Sequence, residues 1–291
     1  MGKFSITFNK SKQLSDLVSL GILPKQISEF TQTDVGTTIS IPYTTNNQQI
    51  KNKLKNNGCI EFEVIAVNHH IDSENQENPT ITLMAKEPLR YAIFDAEEPT
   101  NPDTMRKTGG NCRWAVSNIR QYLNSDSKYP WFEKQHQYDE APTIDKVNES
   151  YQTNAEDAIY VNDDGFLTGF SKDVLEHFTV VENKSRICEI DGGSQEITKD
   201  KVFLLSYTEL FGGSNERIVE GQQIEYLNST NTRKRGTTYD YYLTRSSSNS
   251  GSPYGEYTTA IYTVSIRFGG ENSAPSTNFT NTTILPVIVL H

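Results

Sequence analysis

The stretch GNCRWAVSNIRQYLNS, residues 110–125, is the most patterned segment of this chain of 291 residues. It holds one of two tryptophans, one of three cysteines and two arginines. Ala115, Ile119, Tyr122 and Leu123 recur at helical spacing and define one apolar face. Arg113, Asn118 and Gln121 fall on the other faces. The spacing predicts an amphipathic helix over 113–124, capped by Asn111 or a neighbour. Trp114 and Arg120 lie on different sides of such a helix, so it cannot present them as one compact catalytic pair.

Outward from this helix the signals are mostly β. CIEFEVIAVNHH (59–70) alternates Ile60, Phe62 and Val64 against Glu61 and Glu63, then turns wholly apolar, as a strand passing from half-exposed to buried does. TITLMA (80–85) is expected to pair with it across the polar loop 71–79. DKVFLLS (200–206) reads as a buried strand, and YTELFGG (207–213) as a turn of helix closed by glycines. YDYYLTRS (239–246), TTAIYTVSI (258–266) and TTILPVIVLH (282–291) read as strands of one sheet, with Pro286 marking an edge or a bulge. A second short helix is predicted at SKDVLEHF (171–178), with Val174, Leu175 and Phe178 inward. The polar, tyrosine-rich segment between the helices, about 126–165, reads as a surface insertion. Residues 1–35 form a strand–helix preface, with Leu14, Leu17 and Val18 on one face and a stop at Gly21 and Pro24. It is either an attachment segment or the first helix of the main domain, which spans 36–291.

A net charge of −10 repels phosphate backbones, so no nucleic-acid partner is expected. TRKRG (232–236), the one dense basic cluster, reads as a solvated loop. No apolar run reaches the length of a secretion signal or a membrane span, and the longest, ILPVIVL (284–290), suits a buried strand. Cys59, Cys112 and Cys188 stand far apart, without C-x-x-C or a histidine pair at ligand spacing. They are read as three free thiols, with no metal site.

Four stretches, WAVSNIRQYLN, DKVFLLSYTEL, YYLTRS and TTILPVIVL, resemble in this order the domain of unknown function numbered 6273, common in Firmicutes and their phages and prophages. The resemblance spans roughly residues 36–291. This sequence carries Tyr122 where the pattern has a tryptophan and Leu285 where it has an arginine before Pro286. The resemblance implies an α+β, C-type-lectin-like domain: antiparallel sheets, two main helices, ends that pair near each other, and long loops that carry recognition. In that pattern Trp114 and Leu123 dock the helix on the sheet. Arg120 bonds carbonyls or a carboxylate such as Glu209, itself close to the core. The same fold resembles that of formylglycine-generating enzymes, but their late cysteine pair has no counterpart after Cys188.

No catalytic set is assigned. Gly-x-Ser-x-Gly, a Cys beside a His and phosphate loops are all missing. His69 and His70 follow directly on a strand, one expected to point each way. VNDDGFLTG (161–169) and NPD (101–103) are read as turns in preference to calcium sites. Tyrosines interleaved with small polar residues in the C-terminal third suit an adaptable binding surface. Arg245, Asn249 and Tyr254, on a predicted loop over 244–256, and Tyr257 directly after it are the ligand-binding candidates.

The expected function is therefore non-enzymatic and without cofactor: a virion surface protein of a phage or prophage, either a tail-associated adhesin or a head decoration or fibre protein. It would be made in the host cytoplasm and bind other virion subunits or a host surface glycan, with no nucleic acid and no membrane, homo-oligomers being allowed. The alternatives are a bacterial carbohydrate-binding module and, behind it, an enzyme of unknown type.

Overall fold

Alternation at 38–42 and 59–67 and a continuously buried, mostly apolar run at 81–85 give three consecutive strands, β1 (Thr38–Pro42), β2 (Cys59–Val67) and β3 (Ile81–Ala85), paired antiparallel in turn. Between the first two lies α1 (Gln48–Lys53), whose N-terminus is capped by the Asn47 side chain. The computed structural model describes residues 17–147, 154–187, 193–212, 219–233, 241–247, 263–267, 272–273 and 280–291. It is a mixed α/β molecule of antiparallel sheets and few, short helices.

The remaining elements are α2 (Thr104–Gly109), α3 (Asn118–Asn124), α4 (Ala155–Ala158), α5 (Lys172–Leu175), β4 (Val181–Arg186), β5 (Gln195–Asp200), β6 (Val202–Phe203), α6 (Tyr207–Phe211), α7 (Thr230–Arg233), β7 (Tyr241–Ser247), β8 (Thr263–Arg267), β9 (Asn272–Ser273), β10 (Thr282–Thr283) and β11 (Val287–Leu290). The main sheet runs β1-β2-β3-β11-β6, a second runs β10-β7-β8-β9, and β4–β5 form a hairpin. Within the second sheet β10 lies parallel to β7.

The predicted strand at 282–291 is thus two strands in two sheets. Pro286 sits at the crossing, where its missing N–H interrupts no ladder, and its carbonyl accepts from Ala85 N at 3.0 Å. β11 is an inner strand, antiparallel to β3 on one side and β6 on the other, so the proline does not mark an edge.

The opening stretch also divides. Trp114–Val116 is a 3₁₀ turn and Asn118–Asn124 is α3, the longest helix among the described residues. Ser117 separates them: its backbone is extended (φ −71°, ψ 146°) and its hydroxyl accepts from Arg120 N. A serine here offers the helix a cap, which ends the preceding turn. Asn111 therefore does not cap it. Ile119, Tyr122 and Leu123 are buried as predicted, while Ala115 is only partly covered. At the second predicted helix Ser171 caps α5 and Val174 is buried.

The N-terminal segment, left open between an attachment and a first element of the domain, and the segment read as a surface insertion both contribute described residues to the core. Leu17, Leu23, Ile27 and Phe30 of the N-terminal segment belong to the main apolar cluster. The described residues of that segment form turns closed at Gly21 (φ +70°) and two short 3₁₀ helices. Of the segment about 126–165, Trp131, Val147, Ala158 and Tyr160 are buried. Trp131 stacks on Tyr160 at 5.7 Å, and both rings cover Tyr122 of α3. The described part of the segment read as a surface insertion is one wall of the core, anchored by aromatics spaced among polar residues.

A buried carboxylate cleft as candidate functional site

A cleft of about 360 Å³ lies among the described residues. It opens where the end of β2, the start of β4, α6 and β7 converge. Asn68 adopts a left-handed conformation (φ +52°) directly after β2, and its side-chain oxygen accepts from Thr80 N. This turn delivers His69 and His70 to the same cleft. His70 is buried, with Nδ1 3.0 Å from Thr82 Oγ1 and Nε2 3.2 Å from Glu209 Oε1. Glu209 is set by its place in a capping box on α6: Ser206 Oγ accepts from Glu209 N, and Ser206 N donates to Glu209 Oε2 at 2.8 Å.

Facing it is Arg245 of β7. Its Nη1 donates to Glu209 Oε2 and its Nη2 to Glu209 Oε1, both at 2.7 Å, in bidentate geometry. Nε donates to Lys184 O, Nη1 also to Leu204 O, and Nη2 also to Glu220 O, so all five guanidinium donors are engaged. Burial alone would raise the Glu209 carboxyl; Arg245 and His70 outweigh it and hold it well below the usual carboxylate range. Beside this pair, Glu220 accepts from Arg186 N at 2.9 Å and from Ser246 Oγ at 2.5 Å. There burial prevails over Arg186, and the Glu220 carboxyl stays raised. Burial lowers the His69 imidazole, and His70 beside it adds to this.

A family model described as a domain of unknown function (DUF6273) matches residues 83–283. The chain belongs to this family. No curated protein matches the chain, and no solved structure does.

In this DUF6273 domain the sequence-predicted site residues fall as follows. Arg245, expected on an exposed recognition loop, lies in β7, 1% exposed and locked to Glu209. Asn249, Tyr254 and Tyr257 lie outside the described residues. Trp114 and Leu123 are fully buried, as framework residues would be. Arg120 does bond a carbonyl, Ala115 O at 2.9 Å, but its carboxylate is Asp200 (2.7 Å), not Glu209. Asp200 also accepts from Trp114 Nε1, Asn183 Nδ2 and Thr198 Oγ1. Sequence reading missed Asp200, although it opens the DKVFLLS stretch. It also missed His70 as a partner of Glu209.

The calcium-like stretches have internal partners. Asp163 pairs with Arg90, and Asp164 accepts from Tyr129 N; Asp103 caps α2 and donates through its own N to Asn101. Arg233, read as solvated, is buried over the Phe211 ring at 4.5 Å. No group of three or more His, Cys, Asp or Glu side chains among the described residues is placed to hold a metal ion, and none of their helices is long and apolar enough to cross a membrane.

A second buried ionic centre lies at the N-terminus of α3. Asp95 accepts from Asn118 N at 2.9 Å and Asn111 N at 2.7 Å. Asp139 accepts from Asn118 Nδ2 and Gln135 N. Glu98 is bonded by Asn101, and its Oε1 stands 3.3 Å from His136 Nε2. Burial raises all three carboxyls; Asp95, beside Asp139 and Glu98, is raised furthest above its ordinary value.

Proposed function

We propose that this domain is a non-enzymatic recognition protein on the surface of a phage or prophage particle, a tail-associated adhesin or a head decoration or fibre protein with a C-type-lectin-like fold. The observation that carries the reading is the state of the cleft floor. His70, Glu209 and Arg245 are bonded to one another, and both nitrogens of His70 have partners, which supports reading the floor as a scaffold beneath a binding cleft. Exposed polar side chains surround it, as a recognition surface requires. The lectin-like fold is supported by β3 and β11, which flank the two ends of the family region and pair antiparallel. The resemblance to a domain common in phages supports the setting.

The test is particle composition. Particles induced from the source strain and banded on a density gradient should contain the chain by mass spectrometry in stoichiometric amounts. Recovery only from the soluble lysate would defeat the virion reading.

A further inference from the structure

We propose that the cleft above Glu209 and Arg245 binds one neutral, hydroxyl-rich sugar unit. The assignment rests on the recognition reading above and names the ligand class of that cleft.

The unused hydrogen-bonding capacity of the cleft lies on its walls and not on its floor. The charged floor offers little: Arg245 has no donor left, and Glu209 accepts from Arg245, His70 and Ser206 N. Asp72 is occupied by Glu74 N and Asn78 Nδ2, and Glu220 by Arg186 N and Ser246 Oγ. What remains lies on the walls. Gln76 and Gln222 are exposed amides, each both donor and acceptor. Ser73 Oγ is shielded from solvent yet has no hydrogen-bond partner. Buried hydroxyls are nearly always paired, so this atom marks a place where a ligand hydroxyl or a water completes the bond.

Two charges stand at the rim, Lys184 and Glu182, both exposed; Glu182 already lies 3.5 Å from Lys199. One cation and one half-engaged anion favour neither a strongly acidic nor a strongly basic ligand. An anion would also meet the carboxylates of Asp72 and Glu209 behind the wall. Ile71, 54% exposed, and the His69 ring supply an apolar patch for the C–H face of a pyranose. A hydroxyl is donor and acceptor at once, as are the two amides and Ser73. The volume, near the lower end of the roughly 300–1,000 Å³ of ligand pockets, suits one sugar unit of a larger glycan.

The probes are methyl glucoside, methyl galactoside, N-acetylglucosamine and rhamnose, with glucuronate and glucosamine as charged counterparts. Each is titrated into the full chain while the side-chain amide and imidazole resonances are followed. At least one neutral sugar should bind saturably and shift Gln76, Gln222 or His69 resonances. The double variant Gln76→Ala/Gln222→Ala, altered only at exposed positions, should bind it at least about tenfold more weakly, the loss of about 1.4 kcal/mol. The assignment is overturned if no neutral sugar binds, if glucuronate or glucosamine binds more tightly than every neutral sugar, or if the double variant binds like wild type. Sugar binding by a chain absent from particles would remove the virion reading alone. A chain present in particles that binds no sugar would remove this assignment alone.

Discussion

Glu209 and Asp95 are both enclosed carboxyls, yet the fold moves them in opposite directions. Glu209 meets a guanidinium that matches it bond for bond, plus an imidazole and a main-chain N–H. Asp95 meets two main-chain N–H groups and, close by, Asp139 and Glu98. Burial penalises the charge at both places. Hydrogen bonds from neutral donors do not offset that penalty at Asp95, whereas a stoichiometric cation does at Glu209. The first centre is a fixed ion pair beneath a cleft. The second is a cluster of carboxyls, all raised by burial, at the joint between α3, the 95–101 turn and the segment around Asp139.

The largest effect should come from breaking the matched pair. Glu209→Ala leaves Arg245 charged and unpaired in the core and should cost about 3–5 kcal/mol in urea unfolding. A loss below about 1 kcal/mol would mean that the pair is not what holds α6 to β7. Trp114→Ala, which empties a fully buried site and strips Asp200 of a donor, should cost about 3–5 kcal/mol by packing alone and sets the scale.

The next effect is the response to pH. The folded values of Asp95, Glu98 and Asp139 are raised, so their contribution is full below the ordinary carboxylate range and is lost as pH rises through those folded values. Glu209 is lowered; its contribution is present above the ordinary range and disappears only as pH falls through its depressed value. Between pH 5 and 8 the acidic centre should therefore weaken the fold with rising pH while Glu209 stays constant. Glu98→Gln keeps the shape and removes one titrating group. Its unfolding free energy should gain on wild type from pH 5 to pH 8; an unchanged difference would show that Glu98 does not hold a proton there.

At the lower pH the same variant should differ less from wild type than at pH 8, since the amide stands in for the protonated carboxyl that burial favours at Glu98. The smallest effect concerns Cys59 and Cys112, neither of them in a disulfide. Reductant should leave the melting temperature unchanged. In the native protein Cys59, half-buried and with its thiol pushed up by burial, should react with an alkylating reagent before the fully buried Cys112 does. Faster modification of Cys112 would place an opening motion at the acidic centre that adjoins it through Asn111.

The β2–β3 hairpin was legible because alternation followed by a continuous apolar run has one structural meaning, and the burial of Trp114, Ile119 and Leu123 because helical spacing survived the break at Ser117. The break itself was not legible: Ser117 reads equally as a polar face residue and as a cap until the backbone around it is known. The partners of Arg120 and Arg245 were also hidden. Arg120 and Asp200 are far apart in sequence, and nothing local distinguishes Asp200 from Glu209 as the acceptor. Arg245 looked exposed because a cation beside serines usually is; its enclosure follows from Glu209, on another element. The 126–165 segment misled by its polarity, since Trp131 and Tyr160 anchor it from positions with no period. The capacity of the cleft walls had no sequence signature at all, because Ser73, Gln76 and Gln222 come together only through the turn at Asn68 and the loop that follows α6.

The place of β11 in the main sheet governs the order of assembly. Ile81 waits for Leu290, and Val202 for Ile288, so the inner strand is the last of the sheet to leave the ribosome. Until it arrives, β3 presents a bare, largely apolar edge, and the hairpin already formed can pair with another nascent chain. Contacts of such long sequence separation make folding slow, and they concentrate its risk in the interval between the synthesis of β3 and that of β11. Yield in a foreign host should thus be governed by chaperone supply and growth temperature more than by the stability of the finished molecule.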